Sequence, residues 1–447
     1  MPCSRNSSIK SSTPDTTQII TIEMKQLLLL FACVLAVNVA APAATKYVGG
    51  DISLLTKYEE HGAIYYNENG GRITDMLTYL KDQGMNAMRV RLFVDPSLAG
   101  AEDQGEGVCQ DLPYVMALGQ RIKAAGFKLL LDIHYSDTWT DPGQHATPAE
   151  WKSLTAEQLA AKIGEYTKEC LQEMKQAGAE PDFIQTGNEI TTGMLWPTGK
   201  IYAGGGAPSG GSWNHFAAYL SSAIKACREE CPQAKIVIHT EMHAPADVPK
   251  FYNQLKKYSD VAYDIIGLSY YPDYHGNLSV LNTALTTLEA DHPDKQIMIV
   301  ETGYGFQWQL SDAKYNFTST WPLSESGQKQ FTTDLIAALQ THPNVNGIFW
   351  WYPEYTLNNI VFKDGGEDWS KDFTSGYWNA ALFHYKTGKA LKALYELKNF
   401  VNSTGIDVVN RETITDSHWF TLDGRRLSAQ PTQKGIYIHQ GKKVIVK

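Results

Sequence analysis

The segment QTGNEIT, residues 185–191, follows two apolar residues, Phe183 and Ile184, in a pattern typical of a short buried strand that ends on polar side chains. An ionised carboxylate that is buried without partners costs several kcal/mol. The glutamate at this strand end, Glu189, is therefore hydrogen-bonded, exposed or used in chemistry. The same theme of an apolar strand with a polar end recurs along the chain and decides the fold.

Eight segments carry this theme, and they begin near Tyr47, Asn86, Lys128, Asp182, Lys235, Asp264, Gln296 and Gly347. Segments of helical period lie between them, such as LPYVMALGQRIKAAG and LAAKIGEYTKECLQEMKQAG, which end on glycine as helices often do. Strands that alternate with helices in this number predict an α/β fold, a parallel (β/α)8 barrel. The alternative is an open doubly wound sheet, but GGDISLLTKYEEHG lacks the GxGxxG spacing of its phosphate turn.

Composition narrows the class of ligand. The 447 residues are 43% hydrophobic and 19% charged, which is ordinary for a globular protein with a large core. A formal net charge of -9 and a pI near 5.8 argue against nucleic acid, because phosphate binding needs a concentrated basic face. The 11 Trp and 24 Tyr residues offer flat rings that stack on sugars, so a glycan is the better prediction.

The N-terminal region has the pattern of a secretory signal. From Met24 the chain reads MKQLLLLFACVLAVNVAAPAA, a lysine and an apolar run followed by Ala-Pro-Ala. This predicts that residues 1–43 are an upstream extension plus a signal peptide, with the natural start at Met24 and cleavage after Ala43. The mature protein would be exported, to the periplasm, cell surface or medium. In the alternative, Cys33 is the lipidated first residue of a lipoprotein. The run is too short for a transmembrane helix, and no later segment resembles one.

The remaining cysteines and the C-terminal region leave their roles open. Cys109, Cys170, Cys227 and Cys231 show no metal-binding spacing, and their disulfide state does not follow from the sequence. The barrel domain is predicted over residues 44–405. Residues 406–447 contain short alternating strands and turns, which predict a small β appendage. It resembles the C-terminal sorting tails of exported bacterial proteins, with a solvated remnant as the alternative.

Two carboxylates stand at strand ends that the barrel brings together. Glu189 ends the fourth predicted strand and Glu301, in IVETGY, ends the seventh. Paired carboxylates cleave glycosidic bonds, one as the acid and the other as the nucleophile or base. Either glutamate alone is as consistent with a helix cap or a surface position, but two of them at one barrel mouth favour catalysis.

Several motifs together resemble glycoside hydrolase family 53, the endo-β-1,4-galactanases. They are MRVRLFVDP, HYSDTWTDPG, TGNEIT, IVETGYG and an ALF after a Trp-rich eighth strand, and the resemblance runs from Tyr47 to about Leu397. It implies that Glu189 is the general acid/base, that Glu301 is the nucleophile and that configuration at the sugar is retained. It also implies β-1,4-galactan or arabinogalactan as the substrate, with no cofactor for catalysis.

Other residues near the strand ends are predicted to assist. Arg89 and Arg91 share the inward face of the second strand. One would hold Glu301 ionised and the other would form a structural ion pair, and the sequence does not decide between them. Asn188 is expected to bond the 2-hydroxyl of the reacting sugar.

The resemblance also suggests further substrate contacts, together with one metal site. The predicted sugar-binding residues are His134, Trp139, His243, Tyr270, Tyr271 and Trp351. Trp351 matches the tryptophan beneath the reacting sugar, although the usual Glu-Pro after it is replaced by Tyr352-Pro353. Some bacterial members bind a structural calcium ion in the loop after the eighth strand. The candidate ligands here are Asp364, Glu367, Asp368 and Asp372, and a solvated acidic loop is the alternative.

Two other functions remain open. A related barrel hydrolase that cuts mannan, xylan or cellulose would use the same carboxylate pair. A glycan-binding protein without activity would need neither Glu189 nor Glu301, so the presence of both counts against it. A monomer is the default expectation for the oligomeric state.

Overall fold

The computed structural model describes residues 45–242, 245–360, 377–402, 419–421, 426–427, 429–433, 435–439 and 442–446. Eight parallel strands form the barrel: β1 (Tyr47–Asp51), β2 (Ala87–Leu92), β3 (Lys128–Ile133), β4 (Phe183–Thr186), β5 (Lys235–Glu241), β6 (Ile265–Tyr270), β7 (Gln296–Thr302) and β8 (Val345–Trp351). β1 pairs with both β2 and β8, which closes the sheet. The prediction of a (β/α)8 barrel is confirmed.

Helices alternate with these strands. They are α1 (Leu55–Glu60), α2 (Met76–Asp82), α3 (Ala101–Gly105), α4 (Leu112–Ala124), α5 (Ala156–Gln176), α6 (Trp213–Glu230), α7 (Asp247–Leu255), α8 (Pro272–His275), α9 (Leu278–Asp291), α10 (Glu325–Leu339), α11 (Lys392–Glu396) and α12 (Asn399–Asn402). The longest, α5, begins with a capping box between Thr155 and Gln158. Its buried residues Leu159, Ile163 and Met174 fall on one helical face, which explains why this segment packs on the barrel.

Additional short elements complete the described chain. Single helical turns span Pro96–Leu98, Ala149–Trp151, Ile190–Thr192 and Tyr377–Ala380. A two-stranded hairpin pairs Tyr65–Tyr66 with Arg72–Ile73. In the C-terminal region, β9 (Trp419–Thr421), β10 (Arg426–Leu427), β11 (Gly435–His439) and β12 (Lys442–Val446) form an antiparallel sheet in the order β10-β9-β11-β12, as the predicted β appendage requires.

The barrel interior changes from apolar to polar along the strands. Its apolar layer consists of Ala87, Leu130, Phe183, Val237, Ile265, Met298, Val300 and Phe349. Two positions after Leu130, the inward position of β3 holds Asp132. The same change occurs at Gln185 on β4, His239 on β5 and Ser269 on β6. A closed apolar floor therefore lies beneath a polar mouth at the carboxyl ends of the strands.

A β-bulge in β7 determines where its glutamate points. Ile299 pairs with Leu268 of β6, and Glu301 pairs with Ser269, the next residue of β6. β7 therefore advances by two residues where β6 advances by one. β8 shows the same one-residue offset against β7. Because Val300 lies in the inner core, strict alternation would turn Glu301 outward toward the helices. The extra residue turns Glu301 back into the mouth, the kind of redirection for which bulges next to active sites are known.

Some predictions fall on residues outside the described ranges. These include the signal peptide with Cys33, the four calcium candidates Asp364, Glu367, Asp368 and Asp372, and His243. The four described cysteines, Cys109, Cys170, Cys227 and Cys231, are free thiols. Within the described ranges, no helix has the length and apolar character needed to cross a membrane.

Candidate active site

A single buried guanidinium, that of Arg89 on β2, organises the mouth. Its Nη1 atom lies 2.7 Å from Asp51 Oδ2 of β1, and its Nη2 atom lies 2.7 Å from Asp132 Oδ2 of β3. Nη2 also contacts Asn188 Oδ1 at 2.9 Å and Glu301 Oε1 at 2.8 Å. The planar fork of arginine suits several oxygen acceptors at once. Arg89 thus ties β1, β3, β7 and the segment after β4 into one network.

Glu301 is held by donors on both carboxylate oxygens. Arg89 contacts Oε1, and the hydroxyl of Tyr271 donates to Oε2 at 3.0 Å. Burial raises the pKa of Glu301 above its usual value, the Arg89 guanidinium and the Tyr271 hydroxyl limit that rise, and the carboxylates of Asp132 and Asp51 add to it. Both donors favour the ionised form. This is the environment that a carboxylate nucleophile requires.

Glu189 lies directly after β4 in a left-handed backbone conformation, with φ 48° and ψ 47°. For a residue other than glycine, this region costs about 1–3 kcal/mol and persists only where the surroundings enforce it. Here the backbone N–H donates to His239 Nδ1 at 3.3 Å, and the carbonyl lies 3.2 Å from His145 Nε2. Burial lowers the pKa of His145 to about 3, so its ring is neutral and donates from Nε2. These contacts fix the direction of the Glu189 side chain.

The surroundings of Glu189 favour its protonated form. Burial raises the pKa of Glu189 well above its usual value, and the carboxylates of Glu301 and Glu241 raise it further. A hydrogen bond with Ser269 opposes these effects. Glu301, by contrast, has a guanidinium on one oxygen. The guanidinium therefore distinguishes the surroundings of Glu301 from those of Glu189, which include two further carboxylates, and a difference of this kind lets one carboxyl group of a pair hold a proton more readily than the other.

The two arginines of β2 have different partners. Arg91 Nη1 lies 3.1 Å from Asp51 Oδ1, and Nη2 donates to the Tyr352 hydroxyl at 2.6 Å. Its guanidinium carbon also lies 4.7 Å from the ring centres of both Trp139 and Tyr352. Arg91 is thus the structural ion pair of the two, whereas Arg89 is the one that contacts Glu301.

The two adjacent tyrosines after Ser269 also separate. Tyr271 contacts Glu301, as described above. Tyr270 is fully buried in the core between strands and helices, where its hydroxyl donates to the carbonyl of Gly276 at 2.8 Å. The placement of Tyr270 does not fit the predicted contact with a sugar, because its side chain follows Ile266 and Leu268 on the outward face of β6.

Other predicted substrate contacts lie at the mouth. His134 is buried, with Nε2 3.1 Å from Asp132 Oδ2 and Nδ1 2.9 Å from Thr140 Oγ1. The amide of Asn188 donates to Thr140 O at 2.7 Å, which orients its oxygen toward Arg89. Trp139 and Trp351 are partly buried in one aromatic cluster above the barrel. Their contacts with a sugar stay a prediction.

The polar residues of the mouth that the sequence analysis did not predict include Gln185, His239 and Ser269. Gln185 donates from Nε2 to Asp132 Oδ1 and lies 3.0 Å from His239 Nδ1. His239 Nε2 lies 2.8 Å from Ser269 Oγ. Each of the three lies two or four positions after an inward apolar residue of the same strand. Because every second residue of a strand faces the same side, this spacing is the sequence signal that could have placed them inside the barrel.

No cluster of three or more His, Cys, Asp or Glu side chains suited to a metal ion occurs among the residues that the structure describes. The calcium candidates of the loop after β8 are outside those residues.

Comparisons with known proteins bear on the family of the chain. A model of glycosyl hydrolase family 53 matches residues 47–397. Arabinogalactan endo-β-1,4-galactanase A of Aspergillus niger is 30% identical over 336 residues, which cover 72% of this chain and 89% of that protein. The endo-β-1,4-galactanase of Bacillus subtilis is 29% identical over 345 residues, 74% of this chain and 77% of that protein.

Solved structures give the same result. The family 53 catalytic domain of Ignisphaera aggregans has 31% identity and a TM-score of 0.68, and the match covers 82% of this chain and 98% of that domain. A fungal β-1,4-galactanase has 29% identity and a TM-score of 0.66, and the match covers 79% of this chain and 99% of that protein. Because the family model matches most of the chain, the protein belongs to glycosyl hydrolase family 53.

Proposed function

We propose that the protein is a retaining endo-β-1,4-galactanase that hydrolyses galactan or arabinogalactan. The observation that carries the proposal is the pair of carboxyl groups with opposed surroundings, the half-buried Glu189 among carboxylates and the buried Glu301 on the Arg89 guanidinium. The substrate follows from the names of the relatives, several of which are galactanases.

The first chemical step uses both groups. Glu301 attacks the anomeric carbon while the bond from that carbon to the glycosidic oxygen breaks, and Glu189 gives its proton to the leaving oxygen. The product is a glycosyl ester on Glu301 and a free sugar hydroxyl. In the second step, the Glu189 carboxylate takes a proton from water, whose oxygen attacks the same carbon and releases Glu301. Two inversions at one carbon retain the configuration.

The remaining groups of the mouth position the sugar. Asn188 has its oxygen on Arg89 and donates one amide hydrogen to the Thr140 carbonyl, and in our proposal its second amide hydrogen bonds the 2-hydroxyl of the reacting sugar. In our proposal, His134 bonds sugar hydroxyls, while Trp139 and Trp351 offer their faces to sugar rings. These contacts orient the glycan and add no chemical step.

The deciding experiment measures reducing ends that the purified protein releases from unbranched β-1,4-galactan, mannan, xylan and cellulose. Glu189→Gln is the control, because the amide keeps the size of the side chain and cannot donate an acidic proton. Release from galactan alone, lost in the variant, supports the proposal. Release from another glycan would keep the carboxylate pair and overturn the substrate. If no reducing ends are released from any of the four glycans, the alternative of a glycan-binding protein is favoured.

The nucleophile is tested separately with Glu301→Ala and added azide. An aryl β-galactobioside with a good leaving group should give a galactobiosyl azide of inverted configuration, because azide occupies the space of the missing carboxylate. Full activity of Glu301→Ala without azide would remove Glu301 from this role.

We also propose that the protein is exported, on the basis of the signal pattern that begins at Met24. N-terminal sequencing of the mature protein from its native cells should give Ala44 as the first residue. A blocked, lipid-modified Cys33 would instead identify a lipoprotein, and an uncleaved N-terminus would contradict export by this signal.

A further inference from the structure

His239 and Ser269 come from β5 and β6, the two strands that lie between the strands of the two glutamates. His239 Nε2 lies 2.8 Å from Ser269 Oγ, and both side chains are completely buried. The backbone N–H of Glu189 donates to His239 Nδ1 at 3.3 Å, and Ser269 acts on the Glu189 carboxyl group as a hydrogen-bond partner that lowers its pKa. We propose that His239 and Ser269 form a positioning relay that directs the Ser269 hydroxyl proton to the carboxyl group of Glu189. The inference rests on the proposed acid/base role of Glu189.

The tautomer of His239 follows from its neighbours. Two N–H donors face Nδ1, the backbone of Glu189 at 3.3 Å and Nε2 of Gln185 at 3.0 Å. Asn188 Oδ1 is also 3.1 Å away and would accept from a protonated Nδ1, but the backbone N–H of Glu189 points at Nδ1 and requires an unprotonated nitrogen there. Burial lowers the pKa of His239 well below its usual range, so the ring is neutral and has one N–H. Nδ1 therefore accepts, and Nε2 carries the proton.

This tautomer fixes the direction of the serine hydroxyl. A hydroxyl group has one proton to donate and two lone pairs to accept with. Because the imidazole N–H of His239 occupies a lone pair of Ser269 Oγ, the hydroxyl proton is free to point at Glu189. Its hydrogen bond strengthens when Glu189 loses its proton, since bonds to an ionised acceptor are about twice as strong as neutral ones.

The relay counters an unfavourable electrostatic environment. The groups that act on the Glu189 side chain include three carboxylates: Glu301 of β7, Glu241 of β5 and Asp141 of the loop after β3. His145, on the carbonyl side of Glu189, is neutral and adds no positive charge. The carboxylate of Glu189 formed in the first chemical step therefore meets repulsion, and the directed Ser269 hydroxyl stabilises it.

The test compares Ser269→Ala with the parent protein on two substrates. One is β-1,4-galactan, whose leaving group needs a proton, and the other is a dinitrophenyl β-galactobioside, whose leaving group does not. We expect kcat/KM on galactan to fall about 10- to 100-fold, the effect of one hydrogen bond to a charged group. The basic limb of the pH profile should move to higher pH, because loss of the hydroxyl raises the pKa of Glu189. The value of kcat/KM on the aryl glycoside should stay within about twofold.

Two further variants make the test decisive. Ser269→Cys keeps the volume but offers only a weak donor, so it should behave as Ser269→Ala does. Thr302→Val is the matched control, because it removes a buried hydroxyl of the next strand that donates to the carbonyl of Tyr270. Its pH profile should equal that of the parent protein. Equal losses on both substrates with an unmoved basic limb in both Ser269 variants would overturn the relay and leave a packing role.

Glu189→Gln separates failure of the relay from failure of the proposed function. If this variant loses galactan hydrolysis but still releases dinitrophenol, the acid role stands and the Ser269 results test the relay alone. If Glu189→Gln hydrolyses galactan as the parent protein does, both the acid role and the relay are wrong.

Discussion

Arg89 Nη2 lies 2.8 Å from Glu301 Oε1, and the same guanidinium also contacts Asp51 and Asp132. Arg91 adds a second positive charge on Asp51. Two guanidinium groups thus face three carboxylates, which leaves one negative charge in excess. In the proposed reaction, that excess lies next to the sugar carbon on which positive charge develops, where it stabilises the transition state.

Replacement of Arg89 tests this arrangement. Arg89→Lys keeps the charge but loses the fork that contacts three carboxylates at once. We expect kcat/KM on galactan to fall about 100-fold. Because Arg89 lowers the pKa of Glu301, the acidic limb of the pH profile should move to higher pH. Arg91→Lys is the control, which should lower the melting temperature and leave the acidic limb in place. Equal displacement of that limb in both variants would contradict the assignment.

The neighbouring tyrosines provide a second matched pair. Tyr271→Phe removes the donor to Glu301 Oε2, so kcat/KM should fall about 10-fold and the acidic limb should move to higher pH. Tyr270→Phe removes the same atom one position away, where the hydroxyl donates to Gly276 O. This variant should lose about 1–2 kcal/mol of stability with unchanged kinetics. The readouts are a pH profile and urea unfolding, and similar kinetics for both variants would disprove the distinction.

The sequence predicted the barrel and the position of Glu189 and Glu301 at one mouth, because the carboxyl ends of parallel strands meet there whatever their exact register. The sequence could not distinguish the role of Tyr270 from that of Tyr271, or the role of Arg89 from that of Arg91. These roles depend on how deep each side chain lies in the barrel and on the direction in which it points. The β7 bulge shows the limit most clearly. Alternation from Val300 turns Glu301 away from the mouth, and only the observed strand pairing reveals the extra residue.

A buried glutamate away from the carboxylate pair should make stability depend on pH. Glu354 is fully buried, with Oε1 accepting from the backbone of Leu54 and Oε2 unpartnered among the described residues. Burial raises its pKa to about 8. Between its ordinary pKa and pH 8, the folded protein holds a proton that the unfolded chain has lost, so stability falls as the pH rises.

Glu354→Gln removes this titration. Its stability relative to the parent protein should grow by roughly 3 kcal/mol from pH 5 to pH 8 and then level off. Urea unfolding at four pH values measures the difference. The control Glu68→Gln, which changes an exposed side chain, should run parallel to the parent protein. A constant difference between Glu354→Gln and the parent protein would show that Glu354 is ionised in the folded state.

Glu241 supplies the last prediction, which concerns the acid rather than the nucleophile. Its side chain is buried at the end of β5, where it accepts a hydrogen bond from the Thr191 hydroxyl, and its carboxylate raises the pKa of Glu189. Glu241→Gln keeps the shape and removes the charge. The pKa of Glu189 should fall, so the basic limb of the galactan pH profile should move to lower pH, opposite to the shift expected for Ser269→Ala. Thr191→Val keeps the carboxyl group but removes a donor that lowers the pKa of Glu241, so it should lower the basic limb by less than Glu241→Gln does. Movement of that limb to higher pH in Glu241→Gln would mean that Glu241 acts on Glu189 through hydrogen bonding and not through its charge.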